Sequence, residues 1–162
     1  MQDFNADDNE SKSTRIRTPL YNNNELSILR RFQKSSVLMP GNQLTSFANV
    51  KIRPNCSNID LSQNYLEDFT GIPESIPDLT VLNLDNNQIR SFFGIPSSNP
   101  FPKLHWISLK GNPIGNNKFL KIMCLVCFGN QLKTINGEKV RETFRKSADE
   151  LRPSLFPELQ QG

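Results

Sequence analysis

The chain has 162 residues, 22% charged and 36% hydrophobic, with a formal net charge of +3. That is enough chain for one self-supporting core with tails, and so mild a balance demands no polyanionic partner. No apolar run approaches the ~18–20 residues a membrane span requires, so no membrane association is expected.

Residues 1–14 read as a flexible polar tail: Met1 to Ser13 is acidic and lacks the apolar centre of a signal peptide. Together with cysteines only at 56, 124 and 127, this favours a reducing, intracellular setting. Residues 15–33 form a lead-in. Its pattern Asn24-x-Leu26-x-x-Leu29-x-x-Phe32 fits either a degenerate first repeat or a capping helix.

From residue 34 to 131 the chain echoes itself. Cys56-x-x-Ile59-x-Leu61-x-x-Asn64-x-Leu66 aligns with Leu79-x-x-Leu82-x-Leu84-x-x-Asn87-x-Ile89 and with Leu104-x-x-Ile107-x-Leu109-x-x-Asn112-x-Ile114. Upstream, Val37-x-Met39-x-x-Asn42-x-Leu44 fits, and Leu132-x-x-Ile135 begins a last copy. The copies start 22 to 28 residues apart. A second register follows each Asn: Phe47 and Val50, Phe69 and Ile72, Phe92 and Ile95. The spacing is that of a leucine-rich repeat. It predicts an α/β solenoid with a parallel β-sheet on the concave face, turns and short helices on the convex face, and a C-terminal capping helix.

Strand side chains alternate, so Leu82 and Leu84 point inward while Val81, Asn83 and Asp85 point outward. The Asn of each copy lies where the chain leaves the strand. Asn42, Asn64, Asn87 and Asn112 are therefore expected as an interior ladder whose amides satisfy backbone groups of the turns. The outward columns read Ser36, Asn58, Val81, Trp106, Thr134; then Leu38, Asp60, Asn83, Ser108, Asn136; then Pro40, Ser62, Asp85, Lys110, Glu138. Most are small or polar. Trp106, the single tryptophan, breaks the pattern and marks a partner-binding face made of Trp106, Asn58, Asp60, Val81, Asn83, Asp85, Ser108 and Lys110.

Residues 132–152 read as a C-terminal cap. Val140, Phe144, Ala148 and Leu151 fall on one helix face, and Pro153 is expected to end the helix, leaving 153–162 as tail. Little in the chain suggests catalysis. His105 stands alone, and the carboxylates Asp60 and Asp85 on neighbouring strands fit a docking patch. Cys124-Leu125-Val126-Cys127 sits in an apolar helical run from Phe119 to Phe128. No second ligand pair is spaced for zinc, so neither metal nor cofactor is expected.

The string Gly111-Asn112-Pro113-Ile114, the helix after it and the ending Leu132-Lys133-x-Ile135-x-Gly137-x-x-Val140 resemble short intracellular eukaryotic leucine-rich-repeat proteins with a C-terminal cap. That group includes axonemal dynein light chain 1, the A-prime protein of the U2 small nuclear ribonucleoprotein and the repeat-built regulatory subunit of protein phosphatase 1. The resemblance implies a non-enzymatic adaptor, monomeric or part of a larger hetero-complex, that docks a helix or loop of a protein partner on its concave face. It implies a cytoplasmic setting, axonemal or cytoskeletal, without direct nucleic-acid contact. The alternatives are a nuclear ribonucleoprotein component, with Arg141, Arg145, Lys146 and Arg152 available to RNA, or a phosphatase regulator.

Overall fold

The computed structural model describes residues 22–24, 34–97 and 99–162. The chain divides into two units, Met1–Gln33 and Lys34–Gly162. Of the first, Asn23 and Asn24 are helical. The tail expected over 1–14, and the lead-in apart from residues 22–24, lie outside the described residues.

The second unit is built on one six-stranded sheet in sequential order. Its strands are β1 (Ser35–Leu38), β2 (Cys56–Asp60), β3 (Val81–Asn83), β4 (Trp106–Ser108), β5 (Thr134–Ile135) and β6 (Glu138–Lys139). β1 to β5 pair in parallel, and β6 folds back antiparallel on β5. Val37, Ile59, Leu82, Ile107 and Ile135 occupy one continuous register row, as the repeat alignment predicts. Ile59, Leu82, Ile107 and Ile135 are fully buried. No copy could bury these side chains alone; each covers its neighbour's.

The residues after each Asn build a second spine. Phe47, Phe69 and Phe92 stack with ring centroids 5.8 and 5.9 Å apart, and Phe128 meets Phe69 and Phe92 edge-on. Aromatic contacts of this kind add ~0.5–1.5 kcal/mol each beyond area burial. The Phe-x-Gly-Ile-Pro strings have a steric cause. Gly94 has φ +94°, and a Cβ there would lie 2.5 Å from the Thr70 nitrogen, while one at Gly71 (φ +87°) would lie 2.4 Å from the Ala48 nitrogen. Successive return segments touch backbone to backbone, which only glycine allows.

Helix α1 (Leu120–Phe128) is buried from Met123 through Phe128. A buried helix end leaves four carbonyls needing donors, and all four find one. The Gly129 N–H and Arg152 Nη2 donate to Leu125 O, at 2.9 and 3.0 Å; Arg152 Nε donates to Val126 O at 3.4 Å; the Asn99 N–H donates to Cys127 O at 3.2 Å; Gln131 Nε2 donates to Phe128 O. The guanidinium also sits at the negative end of the helix dipole.

Helix α2 (Glu142–Gln160) corrects two expectations. It runs through Pro153 and Pro157, so 153–160 is helix and not tail. Both prolines lie on the exposed side, where carbonyls freed by the missing N–H groups can turn to water. The opposite side holds the helix down: Leu155, Phe156 and Leu159 pack on the core, and Gln160 Nε2 donates to Ile95 O at 2.9 Å. The inward stripe also differs. Val140 and Ala148 are buried and Phe144 is half-buried, but Leu151 is 42% exposed. Arg152, one residue on, takes the inward place because the α1 carbonyls require its donors.

Candidate protein-docking face

Behind the sheet, three asparagines tie successive turns together. Asn87 Nδ2 donates to Leu61 O at 2.9 Å and Leu84 O at 3.1 Å, and its Oδ1 accepts from the Leu66 N–H at 3.0 Å. Asn112 repeats this with Leu84 O, Leu109 O and the Ile89 N–H; Asn64 does so with Met39 O, Leu61 O and the Leu44 N–H. All three are buried. Asn42 is not: it is exposed and donates within its own turn, to Met39 O and Pro40 O. An interior rung needs a repeat on both sides, and β1 is the first strand of the sheet.

The outward positions form the concave face. Asn58, Val81, Trp106 and Thr134 share one row, and Asp60, Asn83 and Ser108 share the next. Trp106 is half-buried, and its indole N–H meets no acceptor among the described residues. Asp60 Oδ1 accepts from the Ser62 N–H and hydroxyl, at 3.0 and 2.7 Å. Asp85 Oδ1 accepts from the Lys110 N–H at 2.9 Å and from the Ser108 hydroxyl, and the Asp85 N–H donates to Asn83 Oδ1 at 3.0 Å. These bonds fix both carboxylates in place on the sheet surface.

Ser108 departs from its expected role. It is fully buried, covered by the Asp85 carboxylate, so it orients that group and does not itself meet a partner. Two further outward positions also turn away. Asn136 (φ +53°) makes the turn between β5 and β6, and its Oδ1 accepts from the Leu109 N–H at 2.6 Å. Glu138 stands opposite the buried Ile135 and pairs with Lys121 of α1. Lys139, opposite Thr134, supplies a cation the column reading missed, because only a hairpin brings it to that face. Leu38 is 62% exposed; its signal was an apolar residue in an outward slot.

His105 is exposed on the strand flank. Among the described residues no group of three or more His, Cys, Asp or Glu could hold a metal ion. Burial raises the Cys124 thiol well above its ordinary value and pushes Cys127 up to about 12, which suits inert core thiols. Arg145 and Arg152 spend their guanidinium groups on backbone carbonyls: Arg145 on Asn130 O at 3.0 Å and Leu132 O at 2.6 Å, Arg152 on the end of α1. That removes two of the four cations offered to RNA. A groove of about 360 Å³ between α1 and α2 is lined by Phe119, Ile122, Met123, Ser147, Leu151 and Leu155.

Stacked parallel strands, an asparagine ladder and a helix closing the last layer define a leucine-rich-repeat solenoid with a C-terminal cap. A leucine-rich-repeat chain in the crystal structure of the Drosophila melanogaster SNF/U2A′ complex has the same fold, with TM-score 0.63 and 21% identity over 86% of this chain and 81% of that one. No protein-family model and no curated protein matches the sequence.

Proposed function

We propose that this protein is a non-enzymatic docking module that holds a helix or loop of a protein partner on its concave face. The observation that carries this is Trp106: a half-buried indole whose N–H meets no acceptor among the described residues, set among mostly small and polar side chains. A Trp of this kind supplies the rigid anchor from which interfaces draw most of their energy. Asp60, Asp85 and Lys110 form its polar surroundings on the same sheet.

That the structurally similar chain belongs to the crystal structure of a SNF/U2A′ complex fits a docking role. The resemblance of the cap ending supports an intracellular setting in a eukaryote, with a cytoplasmic axonemal or cytoskeletal complex as the first reading. In the ribonucleoprotein reading the partner would be an RNA-binding protein, and of the four cations only the exposed Arg141 and Lys146 would be left to touch RNA, since Arg145 and Arg152 are engaged inside the fold. The test is a paired affinity purification from native cells with wild-type protein and Trp106→Ala, read by mass spectrometry. A stoichiometric partner held by wild type and lost by the variant supports the reading. A partner retained equally by both refutes the concave site.

A further inference from the structure

We infer that the partner segment is a charge-polarised helix of about three to four turns, lying across the strands with its basic end over β2–β3 and its acidic end over β4–β6; this rests on the concave face being the docking surface. The charges on that face are sorted by sign. Asp60 belongs to β2 and Asp85 follows β3, whereas Lys110 follows β4 and Lys139 belongs to β6. Among the described residues none of the four makes an ion pair. Elsewhere opposite charges find each other: Asp78 with Lys34 and Lys103, Glu138 with Lys121, Asp149 with Arg152. Each concave carboxylate is held through Oδ1, and its other oxygen has no partner among the described residues.

The dimensions set the length of the occupant. From β2 to β6 is four strand steps, or ~19 Å at ~4.8 Å per step, and a helix rising ~1.5 Å per residue spans that in ~13 residues. Midway lie Val81 and Trp106, paired across β3 and β4, which calls for an apolar side chain at the helix centre. The helix dipole then chooses a direction. Acidic residues stabilise a helix near its N-terminus and basic residues near its C-terminus. The self-consistent partner therefore places its N-terminal turn over Lys110 and Lys139 and its C-terminal turn over Asp60 and Asp85. Exposed charges arranged in this way govern specificity and encounter rate, and are screened by salt.

The probe is a displayed library of randomised helical peptides, selected on the full-length protein at low salt and sorted for loss of binding to Trp106→Ala. The expected winners carry Asp or Glu in the first turn, an aromatic or aliphatic residue at the centre and Lys or Arg in the last turn. Asp60→Lys or Lys139→Glu should each weaken them about tenfold or more, and a peptide with its end charges exchanged should regain binding to the double variant. Trp106-dependent peptides without that charge order, or unaffected by either substitution, would overturn the polarity and leave the concave site standing. Peptides that bind Trp106→Ala as well as wild type, or a library that yields no binder, would overturn the concave site itself.

Discussion

The guanidinium of Arg152 donates to the carbonyl oxygen of Leu125 across 3.0 Å, joining the middle of α2 to the last turn of α1. The same group reaches Val126 O and the Asp149 carboxylate. It fills the inward helix position that a leucine was expected to take, and it does so as a donor to a buried helix end. Arg152→Met, which keeps most of the stem and removes every donor, should cost ~1–3 kcal/mol. Urea denaturation of the two proteins measures it, and an unchanged midpoint would mean that water serves those carbonyls equally well. Leu151→Ser, one residue away on the exposed side, should change stability by less than ~0.5 kcal/mol.

Asn87 is the central rung of the ladder, 1% exposed, with donors and acceptor all engaged. Asn87→Ala leaves the Leu66 N–H unpaired in the core and takes one of two amide donors from each of the Leu61 and Leu84 carbonyls, which Asn64 and Asn112 still reach; it should lower stability by ~1–3 kcal/mol. Asn42→Ala should cost clearly less, because Asn42 is exposed. Equal effects in a denaturant series would contradict the structural distinction between the two.

Removing residues 153–162 takes away the packing of Leu155, Phe156 and Leu159 and the Gln160 bond to the Ile95 carbonyl. We expect a loss of ~3 kcal/mol or more, from apolar area alone, with increased binding of a hydrophobic dye. A dispensable tail would leave both readings unchanged. Phe144→Ala should fall below the ~3–5 kcal/mol of a fully buried ring, since Phe144 is half-buried.

The thiols set an alkaline limit. Burial raises Cys127 from 9.0 to about 12 and holds Cys124 well above its ordinary value too, so the folded state holds protons that the unfolded state releases. Their contribution is intact below pH 9 and is lost as pH climbs from there toward 12. Stability should fall across that window, and Cys124→Ala/Cys127→Ala should flatten the fall. Thiol reagents at pH 8 should find Cys124 and Cys127 only after denaturation.

Trp106→Ala should leave the melting temperature within a degree or two while weakening the partner by ~2 kcal/mol or more. Calorimetry with the purified partner, paired with thermal melting, separates the outcomes. A large drop in melting temperature at unchanged affinity would make Trp106 a structural residue.

The repeat spacing alone carried the strand register, because a solenoid is nearly one-dimensional and each copy packs only on the next. Aligning Ile59, Leu82 and Ile107 in sequence was enough to place them in one row of the sheet, and with them the outward row of Asn58, Val81 and Trp106. What the sequence could not decide lay wherever a contact left that repeating direction. Periodicity put Leu151 inward and ended α2 at Pro153. Tertiary structure chose Arg152 instead, because only a donor-rich side chain could satisfy the carbonyls at the end of α1, and it carried the helix past two prolines by anchoring Leu155, Phe156 and Leu159 on the convex core. Ser108 and Asn136 followed the outward alternation in sequence, yet hydrogen bonds to Asp85 and to the Leu109 N–H withdraw them from the surface. Lys139 reaches the concave face only through a hairpin that reverses the last strand. Local pattern determined the scaffold; the pairing of polar groups that meet only in three dimensions decided which of its side chains remain free to meet a partner.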